Sequence, residues 1–348
     1  MTTQNFKLHY YKDPKGNFGD DLNSWMWEEL APGLMTDSAP TRFCGVGTLI
    51  DQTMPDAPGW LIFSSGVGYG PRPAKFNSPS WVIGCVRGPL SARVLGLRPD
   101  EAIADGATLL SLLPSGQPMP LDERKGIVFV PHHKAIDDSQ LEAACTLAGI
   151  EYLSPREDSR KVIERIRGAK LVIADAMHAA IVADTLRVPW IPVQTSAEIN
   201  TFKWLDFTLS LDMPYEAIRL PASSAIQFWR GATLPLYKQD FALAVPSVEN
   251  AIAHYQSHER LRNKWWWTSR RNVGHGSYKR LIKPLVQSDA MRGMRTKWDK
   301  AALERTAAAL AAAAKTTQYL SSDAVFFAAR DRLAARFEAV TGRKIGMK

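Results

Sequence analysis

From Phe6 to about Val193, short apolar runs alternate with amphipathic stretches, the pattern of strands and helices taking turns. Phe6 to Tyr11 (FKLHYY) reads as a strand, Lys12 to Gly19 as a loop, and Asp20 to Leu30 as a helix with an acidic start. Gly45 to Ile50, Trp60 to Ser64 and Ser80 to Val86 are strand-like runs followed by glycine-bearing turns, and Pro89 to Leu95 is helical. Between Pro114 and Arg124, the stretch PSGQPMPLDER reads as a linker. A second alternating set follows, with strands at Lys125 to Pro131, Glu151 to Leu153, Lys170 to Ala174 and Val188 to Val193. Its helices are placed at Asp138 to Ala148, Asp158 to Arg167 and Met177 to Leu186. Such alternation predicts an α/β chain with parallel sheets covered on both faces.

Beyond about Ser247 the strand signals stop. Trp298 to Leu320 is alanine-rich and strongly helix-forming, and a last helix is capped by Ser322-Asp323 and ends at Gly342. The organisation predicted is therefore an α/β unit over residues 1–118, a second over 122–235, and an α-helical tail over 247–348.

Composition narrows the class. Hydrophobic residues make up 45% of the 348, enough to bury proper cores. Three scattered cysteines form no CxxC pair and no metal-ligand spacing, which argues against a structural zinc site or a disulfide framework. The opening MTTQNFKLHYYKD lacks the signature of a signal or transit peptide, and no apolar run approaches the roughly 18 residues of a membrane span. A cytoplasmic setting is expected. Charge is uneven: residues 251–348 hold 20 Lys+Arg against 7 Asp+Glu, whereas residues 1–250 hold 23 against 28. A basic tail of this kind attracts polyanions, either nucleic acid or an anionic membrane face.

In open parallel sheets, ligands bind beyond the carboxyl ends of the strands. That rule selects Asn17, Asp20, Arg87, Ser91, Asp105, His132, His133 and His178. Arg87 lies between a strand and a helix, placed to hold a phosphate or carboxylate or, alternatively, to terminate the strand at the surface. His132 and His133 follow the most apolar strand; a metal pair there is disfavoured because adjacent residues diverge and no acidic or cysteine partner stands nearby. With Asp175 as N-cap, His178 sits near the third position of its helix, where the helix dipole opposes protonation and a bound dianion favours it. Such a histidine would titrate near neutrality and serve acid-base catalysis; the alternative is a core histidine bonded to backbone. The loop GNFGDDLN has the glycines of a phosphate cradle, but Asp20 and Asp21 would repel phosphate, so one is read as an N-cap and the other as facing a sugar hydroxyl.

Taken in order, NFGDDLN (17–23), GVGTLI (45–50), VRGPLSARVLGL (86–97), DGATLL (105–110), VPHH (130–133) and DAMHAAIVADTLRVPWI (175–191) resemble the polysaccharide pyruvyl transferase family. The likeness is nearest to bacterial exopolysaccharide ketal pyruvate transferases of the succinoglycan and xanthan type. The resemblance implies two Rossmann-like domains facing each other in a GT-B-like arrangement. It also implies phosphoenolpyruvate as donor substrate, a saccharide acceptor modified as a ketal, and neither a metal nor a further cofactor. Arg87 then matches the donor-binding arginine, with Ser91 in the same motif, and His178 matches the catalytic histidine. Asn17, Asp20 and Asp105 become candidates for the acceptor, Asp20 also as an acid-base group. Many members carry Arg-Leu-His where this chain has Ala176-Met177-His178, so His132, His133 and Lys134 are the candidate substitutes for the missing arginine.

The segment NKWWWTSRRNVGHGSYKRLIKP, from Asn263 to Pro284, interleaves three tryptophans with lysines and arginines. It suits an anionic lipid surface, which would place the protein on the inner face of the plasma membrane beside a lipid-linked saccharide. The alternative is that the tryptophans pack the tail onto the body; nothing in the body supports nucleic acid as a partner. Two further functional readings remain open on sequence, a nucleotide-sugar glycosyltransferase on the same scaffold and a non-catalytic membrane scaffold.

Overall fold

The computed structural model describes residues 4–346. Its first half builds a four-stranded parallel sheet in the order β1-β2-β3-β4, from Lys7–His9 (β1), Thr41–Cys44 (β2), Gly59–Phe63 (β3) and Trp81–Cys85 (β4). Two short helices, Phe18–Asp21 (α1) and Met26–Leu30 (α2), follow β1, and Pro89–Leu95 (α3) follows β4. Every residue of β3 is buried, so helices and loops cover this sheet on both faces.

The second half is a five-stranded parallel sheet in the order β6-β5-β7-β8-β9. Its strands are Ile127–Val130 (β5), Glu151–Tyr152 (β6), Leu171–Ala174 (β7), Trp190–Gln194 (β8) and Ile218–Arg219 (β9). Helices Leu141–Ala148 (α4), Ser159–Arg167 (α5), Met177–Thr185 (α6), Thr201–Ser210 (α7) and Ala225–Thr233 (α8) connect and follow them. The ladder places Phe129 opposite Ile173 and Ile173 opposite Ile191, all three buried. β7 is buried throughout, as its continuous apolar run required.

Three local expectations shift. The run Gly45 to Ile50 is a loop, and the strand precedes it at Thr41–Cys44. A Cβ on Gly45 would lie 2.7 Å from both Asn23 and Trp27, and Gly47 has φ +122, so the chain turns there at close quarters and leaves the sheet. The helix placed at Asp20 begins instead at Phe18 and breaks at Trp25, whose φ −140 and ψ −33 leave the helical region. Asp175 does not cap α6; that place belongs to Ala176, and the Asp175 carboxylate serves the sheet instead.

After Ser247 the chain is helical apart from connecting turns and one bridge of Tyr319 to Trp190. Val248–Arg262 (α9), Trp267–Ser277 (α10), Lys283–Gln287 (α11) and Arg292–Ala313 (α12) come first, with α9 packing on α7 and α12 on α4. The last helix, Asp323–Thr341 (α13), is capped as expected by Ser322, whose hydroxyl accepts from Val325 N, and stops at Gly342 with φ +68. It returns to the first sheet. Phe337 stacks on Trp27 at 6.0 Å and meets Phe63 edge-on at 5.4 Å, while Arg336 donates to Gly84 O at 2.7 Å.

The halves touch directly. Phe18 N donates to Pro155 O at 2.9 Å, Trp25 Nε1 to Ser159 Oγ at 2.6 Å, and Asn200 Nδ2 to Gly68 O at 2.7 Å. One buried apolar cluster includes Phe43 and Phe63 from the first sheet and Val130, Val172 and Trp190 from the second.

Candidate functional site

The carboxyl ends of both sheets face a cavity of about 490 Å³. Loops after β1, β2 and β3 form one wall, and the turns after β5, β7 and β8 form the other. Asp175 ties the second wall together: its carboxylate accepts from His132 N at 2.8 Å, Thr195 N at 2.9 Å and Thr195 Oγ1 at 2.7 Å. Three strand ends are thus held by one side chain, and burial lifts its pKa to about 6 against those hydrogen bonds.

His178 occupies the second position of α6 and lines the cavity. A Cβ on Gly19 would fall 1.8 Å from His178 Nδ1, so the imidazole lies against bare backbone of the opposite wall. Among the described residues its Nε2 is buried with no hydrogen-bond partner. Burial first, then the charges of Lys203, Arg87 and His133, push its pKa down to about 3. The expectation of titration near neutrality is therefore not met by the protein's own groups, because the surrounding cations add to the desolvation. A bound anion is the remaining influence that opposes them.

Asp20 stands one residue from Gly19, in α1, and also lines the cavity. It is not an N-cap; Asn17 holds that place and donates from Nδ2 to Asp20 Oδ2 at 2.5 Å. Burial raises the Asp20 pKa to about 7, with Lys203 pulling the other way. Asn17 lines the same wall.

His132, His133 and Lys134 all face the cavity. The two imidazoles lie 4.4 Å apart, and His133 Nε2 is 3.8 Å from Asp13. Burial, reinforced by neighbouring cations, holds His132 well below its ordinary range and His133 at about 4, so both are neutral at pH 7. His132 Nδ1 accepts from Lys134 N at 3.4 Å, which leaves the proton on Nε2. Among the described residues no three His, Cys, Asp or Glu side chains gather as a metal-binding group.

Arg87, Ser91 and Asp105 do not line the cavity. Arg87 pairs with Asp206 at 3.0 Å, both side chains 0% exposed. Asp206 also accepts from Ser91 N at 2.8 Å and Ser91 Oγ at 2.6 Å. The arginine motif is thus an internal clamp between the first half and α7, packed so closely that a Cβ on Gly88 would lie 1.9 Å from Asp206 O. Arg87 reaches the site through a neighbour, since Nη1 donates at 3.0 Å to Thr48 Oγ1 and Thr48 lines the cavity. Asp105 is a cap, accepting from Ala107 N at 3.0 Å; burial raises its pKa to about 6.

Lys203, on α7, was not among the sequence candidates. Its Nζ donates to Tyr69 OH at 3.2 Å and lies 4.8 Å from that ring's centre, with Lys134 Nζ 5.8 Å from the same ring. Burial would raise the Tyr69 pKa, but the two lysines outweigh it and hold the phenol below its ordinary value. The signal for Lys203 was present: Asn200 follows β8 and caps α7 by accepting from Phe202 N at 3.0 Å. The strand-end rule, carried one strand further, selects Asn200 and Lys203, which both line the cavity.

Comparison with known proteins agrees with this arrangement of motifs. The family described as polysaccharide pyruvyl transferase matches residues 79–196. The chain is 37% identical over 246 residues to the succinoglycan biosynthesis protein ExoV of Rhizobium meliloti (strain 1021), covering 70% of this chain and 77% of that protein. No solved structure matches the chain.

Proposed function

We propose, from the premise that the chain belongs to the polysaccharide pyruvyl transferase family, that it transfers the pyruvyl group of phosphoenolpyruvate to a saccharide of exopolysaccharide biosynthesis as a ketal. The observation that carries this reading is the grouping of Lys203 with His178, Asp20 and Lys134 in one cavity. Two fixed cations suit a donor with phosphate and carboxylate charges, and they stand in for the arginine absent at Ala176. His132 Nε2–H adds a neutral donor. Arg87 acts behind the wall, positioning Thr48 and α7.

His178 accepts a proton once the donor's charge offsets the cations and the buried setting. It then protonates the donor methylene carbon, which becomes the methyl group. The resulting oxocarbenium-like carbon is attacked by one sugar hydroxyl, whose proton passes to Asp20. The C–O bond to phosphate breaks, inorganic phosphate leaves with that proton, and the second hydroxyl adds to the same carbon. Its proton returns to His178. Phosphoenolpyruvate and a diol thus yield ketal and phosphate, with no net oxidation. Asn17 and Asp20 face the acceptor; Asp105 supports that wall from behind as a cap.

We read the two parallel sheets as Rossmann-like domains over 1–118 and 122–235 in a GT-B-like arrangement, with the segment 247–348 bracing both. The return of α13 to the first sheet supports that reading.

Thermal-shift titration and phosphate release test the proposal. Phosphoenolpyruvate should stabilise the protein while nucleotide sugars do not, and phosphate should appear only with a diol-bearing saccharide. Stabilisation by nucleotide sugars alone would indicate a glycosyltransferase. Absence of phosphate release with an acceptor that a related enzyme uses would indicate a non-catalytic protein.

A further inference from the structure

The segment after α9 has a surface that the proposed reaction does not use. From Trp267 to Gln287 the chain is one helical run, α10 passing through a wide π-turn at Tyr278–Ile282 into α11. Its inner side is fixed: Trp267, Tyr278 and Val286 are buried, and a Cβ on Gly274 would lie 2.6 Å from Tyr237. Asp138 of the second half holds the run, accepting from Lys283 Nζ at 2.6 Å and Tyr278 OH at 3.3 Å. Hence some of the aromatic residues do pack the tail onto the body.

The outer side is another matter. Trp265, in the turn ahead of α10, is 90% exposed, and on the helical run Val273, Leu281 and Leu285 are exposed at spacings of eight and four residues. Those spacings lie along one helical face. Exposed Lys264, Arg271, Lys279 and Arg280 accompany them, and no acidic residue occurs between Glu259 and Asp289. A row of exposed apolar side chains set in unbroken positive charge is the pattern of a helix lying in a lipid interface.

We propose that this face docks the protein peripherally on an anionic lipid surface. Trp265, Val273, Leu281 and Leu285 enter the headgroup layer, and the cations meet lipid phosphates. Charge selects this occupant over a second copy, because an isologous contact would set positive against positive. Aliphatic side chains select it over single-stranded nucleic acid, which needs a series of stacking rings. Among the described residues no helix is long and apolar enough to cross a membrane, so docking of this kind leaves the chain on the surface. The inference is independent of which donor fills the cavity.

Co-sedimentation of the full chain with vesicles tests it, using phosphatidylcholine alone and phosphatidylcholine mixed with phosphatidylglycerol. Binding should be at least about tenfold tighter to the anionic vesicles and should weaken with salt. Two triple variants separate the contributions: Arg271→Glu, Lys279→Glu, Arg280→Glu, and Trp265→Ser, Val273→Ser, Leu281→Ser. All six side chains are exposed, so both variants should keep the wild-type melting temperature, and each should lose at least about tenfold in vesicle affinity. Equal binding to both vesicle types, or either variant binding like wild type, overturns the proposal. So does a dimer abolished by the serine variant without vesicle binding, or tighter binding to an oligonucleotide than to vesicles.

Discussion

The ring of His178 rests on the backbone of Gly19, from the opposite half of the molecule, with room for nothing larger than hydrogen between them. This contact fixes where the imidazole can stand, beside the residue that precedes Asp20, which lines the same cavity. Gly19→Ala should therefore reduce turnover by at least about 100-fold, as misplacement of a reacting group by about 1 Å does. The added methyl would also lie 2.4 Å from His178 Cβ, which no rotation of the ring can move, so the two walls must part and the melting temperature should fall as well. Phosphate-release kinetics beside thermal melting make the comparison; a variant with normal turnover would remove His178 from the reaction.

Lys203 should behave as a donor-binding group. Lys203→Met retains much of the side chain's bulk but loses the charge facing Tyr69, His178 and Asp20. The KM for phosphoenolpyruvate should rise about 10- to 100-fold, the loss expected for a charge-assisted contact. The Tyr69 phenol should also move back up, visible as a later onset of phenolate absorbance on alkaline titration. An unchanged KM would move donor binding to Lys134.

Arg87 and Asp206 make a different prediction because neither faces the cavity. Asp206→Asn leaves a buried guanidinium without its counter-charge and should destabilise the protein by about 3–5 kcal/mol in denaturant unfolding. Arg87→Met with Asp206→Leu removes both charges and should recover much of that loss. Were Asp206→Asn to melt like wild type, the clamp between the first half and α7 would not be structural.

How much of this was legible in sequence depends on how local each signal was. The limits of α13 were readable, since Ser322 and Gly342 act on their own helix; its destination on Trp27 was not, because an amphipathic face does not name its partner. His178 was readable for the same reason, a polar residue opening a helix after a strand. Arg87 was read as a donor ligand from its position between strand and helix, yet its direction is set by Asp206, 119 residues away, and it does not line the cavity. Asp175 looked like a helix cap and proved to be a sheet-end tie, because backbone N–H groups of His132 and Thr195 compete for its carboxylate. Lys203 had a local signal too, the Asn200 cap after β8, and was missed because the strand-end rule was not carried to that strand.

Two shifted groups give opposite pH signatures, which makes them separable. The Asp20 pKa is raised from 3.8 to about 7, so between those values the native protein keeps a proton that the unfolded chain has released. Its stabilising contribution is complete below pH 3.8 and is lost as pH rises through about 7. The His178 pKa is lowered from 6.5 to about 3, so the unfolded chain holds the extra proton and stability falls as pH drops below 6.5. From pH 3.8 to 6.5 the two slopes, each about 1.4 kcal/mol per pH unit at most, largely cancel. Asp20→Asn should uncover the histidine, with stability rising between pH 4 and 6.5; His178→Gln should uncover the carboxylate, with stability falling over the same range. Urea unfolding of the three proteins across this range decides it, and three parallel curves would show that neither group is perturbed. Donor binding extends the test. On the proposed reaction the phosphoenolpyruvate charge offsets the cations around His178 and raises its pKa, so donor binding near pH 7 should take up a proton there. That uptake is measured by calorimetry in buffers of different ionisation enthalpy, and it should be lost in His178→Gln.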